Sequence, residues 1–469
     1  MSFKNIDEGD LQYFRLVLGE HYVHTAAAHL QRCATDETED LVCLPEAVLQ
    51  PGNTHEVSQL MRYCNERRIP VTPRGAGTGL SGGALPAMGG VVLDMKRFDK
   101  ILHIDTRNFQ VTTEPGVITE VLQETVRAHG LYYPPDPASK GSCFIGGNVS
   151  ENSGGPRAVK YGVVKDYVLN LEVVLPDGSV IWTGANVLKN ATGYNLTQLL
   201  VGSEGTLAVI TKIVLRLLPA VQHDMLLLAP FRSAVAACEA VNAIFLAGYT
   251  PSALEFMERD ALEWSLRYTH TEWITLPDDV QAHLLVEVDG NHPETLLAEM
   301  EGIAAVVQRY DVGELLLAES HDQKQKLWAL RRKVGEAVKS HSVYKEEDTV
   351  VPRAELPELL RIVKEIGREY GFKSVCYGHA GDGNLHVNIV KGDMDDAAWE
   401  EEVPRGIRKL FSEVVRMGGT LSGEHGIGLV QKEYMDIAFS DVQLDLMRRL
   451  KNVFDPNGIL NPGKIFVNN

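Results

Sequence analysis

The sequence predicts an α+β fold in three parts: a mixed domain over residues 1–220, a second domain over 221–417, and a helical C-terminal segment over 418–469 that folds back on the first. Three observations predict it. A chain of 469 residues exceeds what one core covers. Its first half alternates short β-rich runs with two helical patterns, and its second half passes twice through one order of elements. With 44% hydrophobic and 23% charged residues the chain can bury such cores.

From Cys43 to about Pro219 the runs GGVVLDM, FQVTTEP, LEVVLPDGSVIW and LAVITKIVLRLLP read as strands, and THEVSQLMRYCNERR and TEVLQETVRAHG as helices. Asp177-Gly178 between two apolar runs is a hairpin turn, since glycine tolerates positive φ. The second part runs strand (DMLLLAPF), helix (SAVAACEAVNAIFLAG), strand (SALEFME), strand (HLLVEVDG), helix (PETLLAEMEGIAAVVQRY), strand (GELLLAE). That is the order of a ferredoxin-like βαββαβ unit with an antiparallel sheet. After an amphipathic helix, KQKLWALRRKVGEAVKS, the order recurs from YKEEDTVVP to GTLSGE, so the cap domain is duplicated. LMRRLKNVFDPNGILNPGKIF adds a helix and a Pro/Gly-punctuated end.

A net charge of −18 with no basic run opposes nucleic acid binding, yet leaves room for a few focused cations around an anionic substrate. The six cysteines are scattered without a CxxC pair, which argues for reduced thiols and against an iron–sulfur or Cys-type zinc site. No signal peptide and no membrane span are expected, and the location expected is cytoplasmic.

Residues 73–86, PRGAGTGLSGGALP, contain Gly77-x-Gly79-x-x-Gly82, formally a Rossmann fingerprint, but the loop leads into the strand VVLDM where that fold requires a helix. What survives is a run of bare backbone N–H groups able to cradle a pyrophosphate. Two further segments, PPDPASKGSCFIGGNVSENSGG (134–155) and LVGSEGTLAVITK (200–212), are rich in small hydrogen-bonding residues. In order and spacing all three resemble the flavin-binding elements of the FAD-linked oxidases of the vanillyl-alcohol oxidase and p-cresol methylhydroxylase (PCMH) type. The resemblance covers nearly the whole chain, to NPGKIF, and points to the branch of glycolate oxidase flavin subunits, D-lactate dehydrogenases and D-2-hydroxyglutarate dehydrogenases.

The resemblance implies that the first domain is a PCMH-type FAD-binding domain. Arg74, Gly75, Ala76, Gly77, Thr78, Gly79, Ser81 and Gly82 would wrap the pyrophosphate. Pro135, Asp136, Ser139, Ser142, Gly146, Gly147, Asn148, Ser150, Gly154 and Gly155 would line the flavin and its ribityl chain, with Glu204, Gly205 and Ile210 near the adenine side or the ring. Neither 73–86 nor 134–155 holds a histidine, so the FAD is expected to be non-covalent.

In YGHAGDGNLHVNI, His379 precedes a Gly-Asp-Gly-Asn turn and His386 follows it, so a hairpin brings two imidazoles to neighbouring strands. In LSGEHGIG, Glu424 offers a hard oxygen and His425 beside it can point another way. A lone histidine is ordinarily a hydrogen-bonded structural residue; two histidines with a carboxylate suit a divalent cation with a position open to substrate. The resemblance assigns His379, His386 and Glu424 as metal ligands, with Zn2+ first and Mn2+, Fe2+ or Co2+ as alternatives, and His425 as catalytic base. A neutral imidazole taking the hydroxyl proton while hydride leaves the α-carbon for FAD would oxidise a 2-hydroxy acid.

Arg331, in LWALRRK, and Lys345, in SVYKEED, are candidate cations for substrate carboxylates. The resemblance adds Asn388 to them. The function expected is therefore FAD-dependent oxidation of a small D-2-hydroxy acid, namely D-2-hydroxyglutarate, D-lactate, D-malate or glycolate; the two cations favour a dicarboxylate such as D-2-hydroxyglutarate or D-malate, with D-lactate as the alternative. Electrons would pass to a quinone, an electron-transferring flavoprotein or an iron–sulfur subunit, and an exposed cap helix can make a homodimer. The rival readings are a flavin-dependent alkyl transferase, which carries a run of adjacent histidines that HAGDGNLH lacks, and a non-catalytic electron-transfer subunit, which needs no His379–His386–Glu424–His425 set.

Overall fold

The computed structural model describes residues 3–467. Two compact units emerge. One comprises the described residues up to Gly154, Val163–Ala220 and those from Glu424 onward; the other comprises Gly155–Gly162 and Val221–Gly423. The sequence placed 155–162 in the first domain and 418–423 in the C-terminal segment, whereas both belong to the second unit. Hydrogen bonds explain the difference. Lys160 Nζ and Tyr161 Oη donate to Asp289 at 2.6 and 2.8 Å, and Arg157 pairs with Glu287 at 2.8 Å. At the other end Thr420 bridges Val350, and Ser422 Oγ and Gly423 N donate to Asp348 at 3.0 and 2.8 Å.

In the first unit a four-stranded sheet has the order Val23–His24, Ala47–Leu49, Val91–Asp94, Val71–Arg74. Ala47–Leu49 and Val71–Arg74 both run parallel to Val91–Asp94, because helix Thr54–Arg67 carries the chain back between them. Asn53 caps that helix by accepting from Glu56 N at 3.0 Å, and Val57, Leu60, Met61 and Cys64 line its buried face at helical spacing. A five-stranded antiparallel sheet follows, in the order Ile101–Asp105, Gln110–Thr113, Val209–Arg216, Val168–Val174, Val180–Trp182. Gly178, at φ +85°, turns the hairpin between its last two strands.

The second unit is one seven-stranded antiparallel sheet: Leu316–Leu317, His223–Phe231, Ala282–Gly290, Ala253–Glu258, Lys373–Gly378, Asn384–Val390, Tyr344–Val350. The first four strands pair in the order fourth, first, third, second, as a βαββαβ unit requires, and the rest repeat it in mirror order. The fourth strands are vestigial: two residues in the first repeat and the single Val350–Thr420 bridge in the second, where GTLSGE reads as a strand. The helix expected over KQKLWALRRKVGEAVKS is two, His321–Arg332 and Val334–His341, divided at Lys333.

All six cysteines are free thiols. Among the described residues no helix is long and apolar enough to cross a membrane.

Candidate active site

The first unit contains a cavity of about 240 Å³ where strand Val71–Arg74 gives way to the glycine-rich loop. Arg74 to Gly79 line it, with Ser139, Gly146, Gly147, Asn148, Ser150, Gly205 and Ile210. A Cβ at Gly79 or Gly147 would meet nothing within 4 Å, so these positions leave open the space a side chain would fill. Arg74 is 8% exposed; its Nη2 donates to Thr35 O at 2.8 Å, while its buried Nη1 has no protein partner. Bare backbone around an unsatisfied guanidinium donor fits a pyrophosphate. Gly77 lies at φ +75°, and a Cβ there would come within 2.1 Å of Arg74 Nη2. We therefore expect Gly77→Ala to weaken FAD binding by at least about tenfold, read by fluorescence titration of the apoprotein; an unchanged affinity would remove this loop from the cradle.

Not every expected flavin residue faces this cavity. Gly82 N donates to Thr38 Oγ1 at 2.6 Å, Pro135 O accepts from Gln123 Nε2 at 2.8 Å, and Ser142 Oγ donates to Ser139 O at 3.2 Å. Ser81 O accepts from Leu429 N at 2.8 Å, and Asp136 is buried outside the lining. Gly154 N donates to Glu424 Oε2 at 3.1 Å, and Gly155 belongs to the second unit. None of these seven is in the cavity lining.

Glu204 lines the cavity, but its carboxylate is committed to protein: it accepts from Ile427 N at 2.8 Å and Gly428 N at 2.7 Å. It thereby fixes the loop that presents Glu424 and His425, which line the same cavity. Gly426, which follows His425 at φ +78°, has no room for a side chain, since a Cβ would lie 2.2 Å from Glu151 Oε2 and 3.1 Å from Glu204 Cδ. Burial and the Glu204 charge hold the Glu151 carboxyl well above the usual carboxylate range. Sequence reading missed Glu151, although it is the one acidic residue of FIGGNVSENSGG.

In the second unit the turn Ala380–Asp382 joins Lys373–Gly378 to Asn384–Val390 and sets the His379 and His386 rings 5.6 Å apart, edge to face. Each Nδ1 faces a carboxylate. His379 Nδ1 lies 2.9 Å from both oxygens of Glu255, and His386 Nδ1 lies 3.3 Å from Glu346 and 3.8 Å from Asp348. Glu255, fully buried, also pairs with Arg331 at 2.7 Å, and the guanidinium sits 5.0 Å from the Tyr377 ring. Burial would raise the Glu255 carboxyl, but His379 and Arg331 outweigh it and hold it below its usual value. Asn388 is buried one strand position pair from His386.

Lys345 is not beside the histidines. In the antiparallel pair Tyr344–Val350 with Asn384–Val390, Glu346 opposes Asn388, Asp348 opposes His386 and Lys345 opposes Ile389. Opposed residues share a face, so Lys345 points to the other side of the sheet, with Nζ 5.5 Å from the Trp399 ring. The residue of that strand facing the histidine side is Glu346. Glu255, Glu346 and Asp348 escaped the sequence reading because acidic residues in strands ordinarily mark a solvated face.

Residues 45–184 match an FAD binding domain, and residues 220–465 match the C-terminal domain of FAD linked oxidases. The chain is 39% identical to the glycolate oxidase subunit GlcD of Bacillus subtilis, over 92% of this chain and 91% of that one. It is 38% identical to a D-lactate dehydrogenase of Anaerostipes hadrus, over 90% and 89%. The fold is that of p-cresol methylhydroxylase, with a TM-score of 0.80 at 18% identity over 99% of this chain and 98% of that one. With both domains matched and relatives aligned over about nine-tenths of their length, the chain belongs to the FAD-linked oxidase family.

Proposed function

We propose that the protein is a dehydrogenase that oxidises a small D-2-hydroxy acid to the 2-oxo acid with non-covalently held FAD. The observation that carries this reading is the His379–His386 pair, with each Nδ1 turned to a carboxylate. The Glu255 carboxylate, hydrogen-bonded to His379 Nδ1 at 2.9 Å, fixes the tautomer of that ring, so that its Nε2 is the nitrogen able to coordinate. The donor set suits a divalent cation, Zn2+ first; the sequence pattern adds Glu424 as its third ligand. When bound, that cation would hold the hydroxyl and carboxylate oxygens of a 2-hydroxy acid, and FAD supplies the hydride acceptor.

The chain's own residues do the rest. His425, in the cavity wall, takes the hydroxyl proton as a neutral imidazole. Glu204 holds the His425 loop through two backbone N–H groups. Asn388 orients the acid, and Arg331 holds Glu255 in place behind His379. The electron acceptor is of the quinone, flavoprotein or iron–sulfur class, and the protein works in the cytoplasm. The relatives named for glycolate and D-lactate oxidation support the reading.

Anaerobic mixing of the holoprotein with the D- and L-forms of lactate, malate and 2-hydroxyglutarate, and with glycolate, tests it. Bleaching of the flavin by a D-acid and not its L-form, abolished by a chelator and restored by Zn2+, is the expected result. A flavin that no 2-hydroxy acid bleaches sinks the proposal.

A further inference from the structure

We infer that the site selects 2-hydroxy acids with a single carboxylate, and that Glu346 is the residue excluding a second one. The inference rests on the hydroxy-acid reading above and deepens it. A dicarboxylate such as malate or 2-hydroxyglutarate needs a cation for its distal carboxylate, and the sheet register removes the obvious one: Lys345 lies on the face opposite His386 and Asn388.

Three cations of the second unit near the histidine face, among the described residues, are paired with carboxylates. Arg331 pairs with Glu255, whose side chain is fully buried, at 2.7 Å. Arg157 and Lys160 pair with Glu287 and Asp289 at 2.8 and 2.6 Å. Glu346 adds a negative charge 3.3 Å from His386 Nδ1, held there by the Tyr377 hydroxyl at 3.4 Å, with a side chain 12% exposed. The proposed cation suffices for the α-carboxylate and hydroxyl, with Asn388 beside it. A further carboxylate on the same small molecule would enter a poorly solvated region next to Glu346, where like charges repel more strongly than in water. The strand thus carries its specificity in register: the side chain one position earlier would have attracted what Glu346 repels.

The test compares holoenzyme turnover of D-lactate and glycolate with that of D-malate and D-2-hydroxyglutarate, in wild type, Glu346→Gln and Glu346→Lys. Wild type is expected to favour the monocarboxylates in kcat/KM. Glu346→Gln, isosteric and able to keep the Tyr377 contact, is expected to raise the dicarboxylate-to-monocarboxylate ratio by about tenfold, and Glu346→Lys by about a hundredfold. The change should fall mainly in KM for the dicarboxylates. A general folding defect cancels in this ratio. The same ratio is read without turnover, from perturbation of the oxidised flavin spectrum by pyruvate and by 2-oxoglutarate. A wild type that prefers a dicarboxylate, or a ratio unmoved in both variants, overturns the role of Glu346 while leaving the hydroxy-acid reading standing. A flavin reduced by none of the four acids overturns the parent reading, and this inference with it.

Discussion

His425→Asn is expected to slow flavin reduction by a D-2-hydroxy acid by about 10²–10⁴-fold while the protein retains its FAD. The cause is local. His425 stands in the wall of the cavity that holds Arg74, Gly147 and Glu204, on a loop pinned by Ile427 N and Gly428 N to the Glu204 carboxylate and by Leu429 N to Ser81 O. Asparagine fits that position and can hydrogen-bond, but it cannot accept a proton at neutral pH. Stopped-flow reduction gives the rate, and the visible absorbance of the flavin, compared per mole of protein, confirms occupancy. The pH profile supplies a second readout: a base must be neutral to act, so wild-type kcat/KM falls as the solution is made acidic. The variant should lack that limb. Reduction within a few-fold of wild type would place the base elsewhere.

The glycine-rich cradle and the duplicated cap were legible in the sequence because each rests on a local rule. PRGAGTGLSGGALP announces itself by the absence of side chains, and the repeat by alternation between periods of two and 3.6. Thr54–Arg67 is recognised by its Asn53 cap and by Val57, Leu60, Met61 and Cys64. The failures at the site concern which neighbour a residue meets. YKEEDTV is polar on both faces, so its sequence cannot say whether Lys345 or Glu346 faces His386; pairing with Asn384–Val390 decides. Gly155 reads as part of one glycine-rich segment, yet Arg157, Lys160 and Tyr161 are drawn away by Glu287 and Asp289, more than a hundred residues later in the chain. Glu255 in SALEFME reads as the solvated member of an alternating strand, and only the arrival of His379 and Arg331 from elsewhere turns it into a buried anchor.

Glu255→Ala should be the most damaging substitution in the second unit. A carboxylate with no exposed surface holds His379 Nδ1 at 2.9 Å and Arg331 Nη2 at 2.7 Å, and Arg331 is itself only 6% exposed. Removing it leaves a buried guanidinium without its counter-charge, which costs about 3–5 kcal/mol, and frees the His379 ring from the partner that fixes its tautomer. Two results are expected together: a lower midpoint in urea-induced unfolding, and affinity for Zn2+ reduced by about 10–100-fold, measured by metal content after equilibration with a competing chelator. Glu255→Gln separates the two effects. Its amide oxygen can still accept from His379 Nδ1, while its NH2 group faces Arg331 without charge, so stability should suffer more than metal affinity. Arg331→Met supplies the complement, since removing the cation as well as its counter-ion spares the burial penalty; the double variant Glu255→Gln/Arg331→Met should regain part of the stability that Glu255→Gln loses. If instead Glu255→Ala binds Zn2+ as wild type does, His379 is held by packing alone and the carboxylate serves Arg331 only.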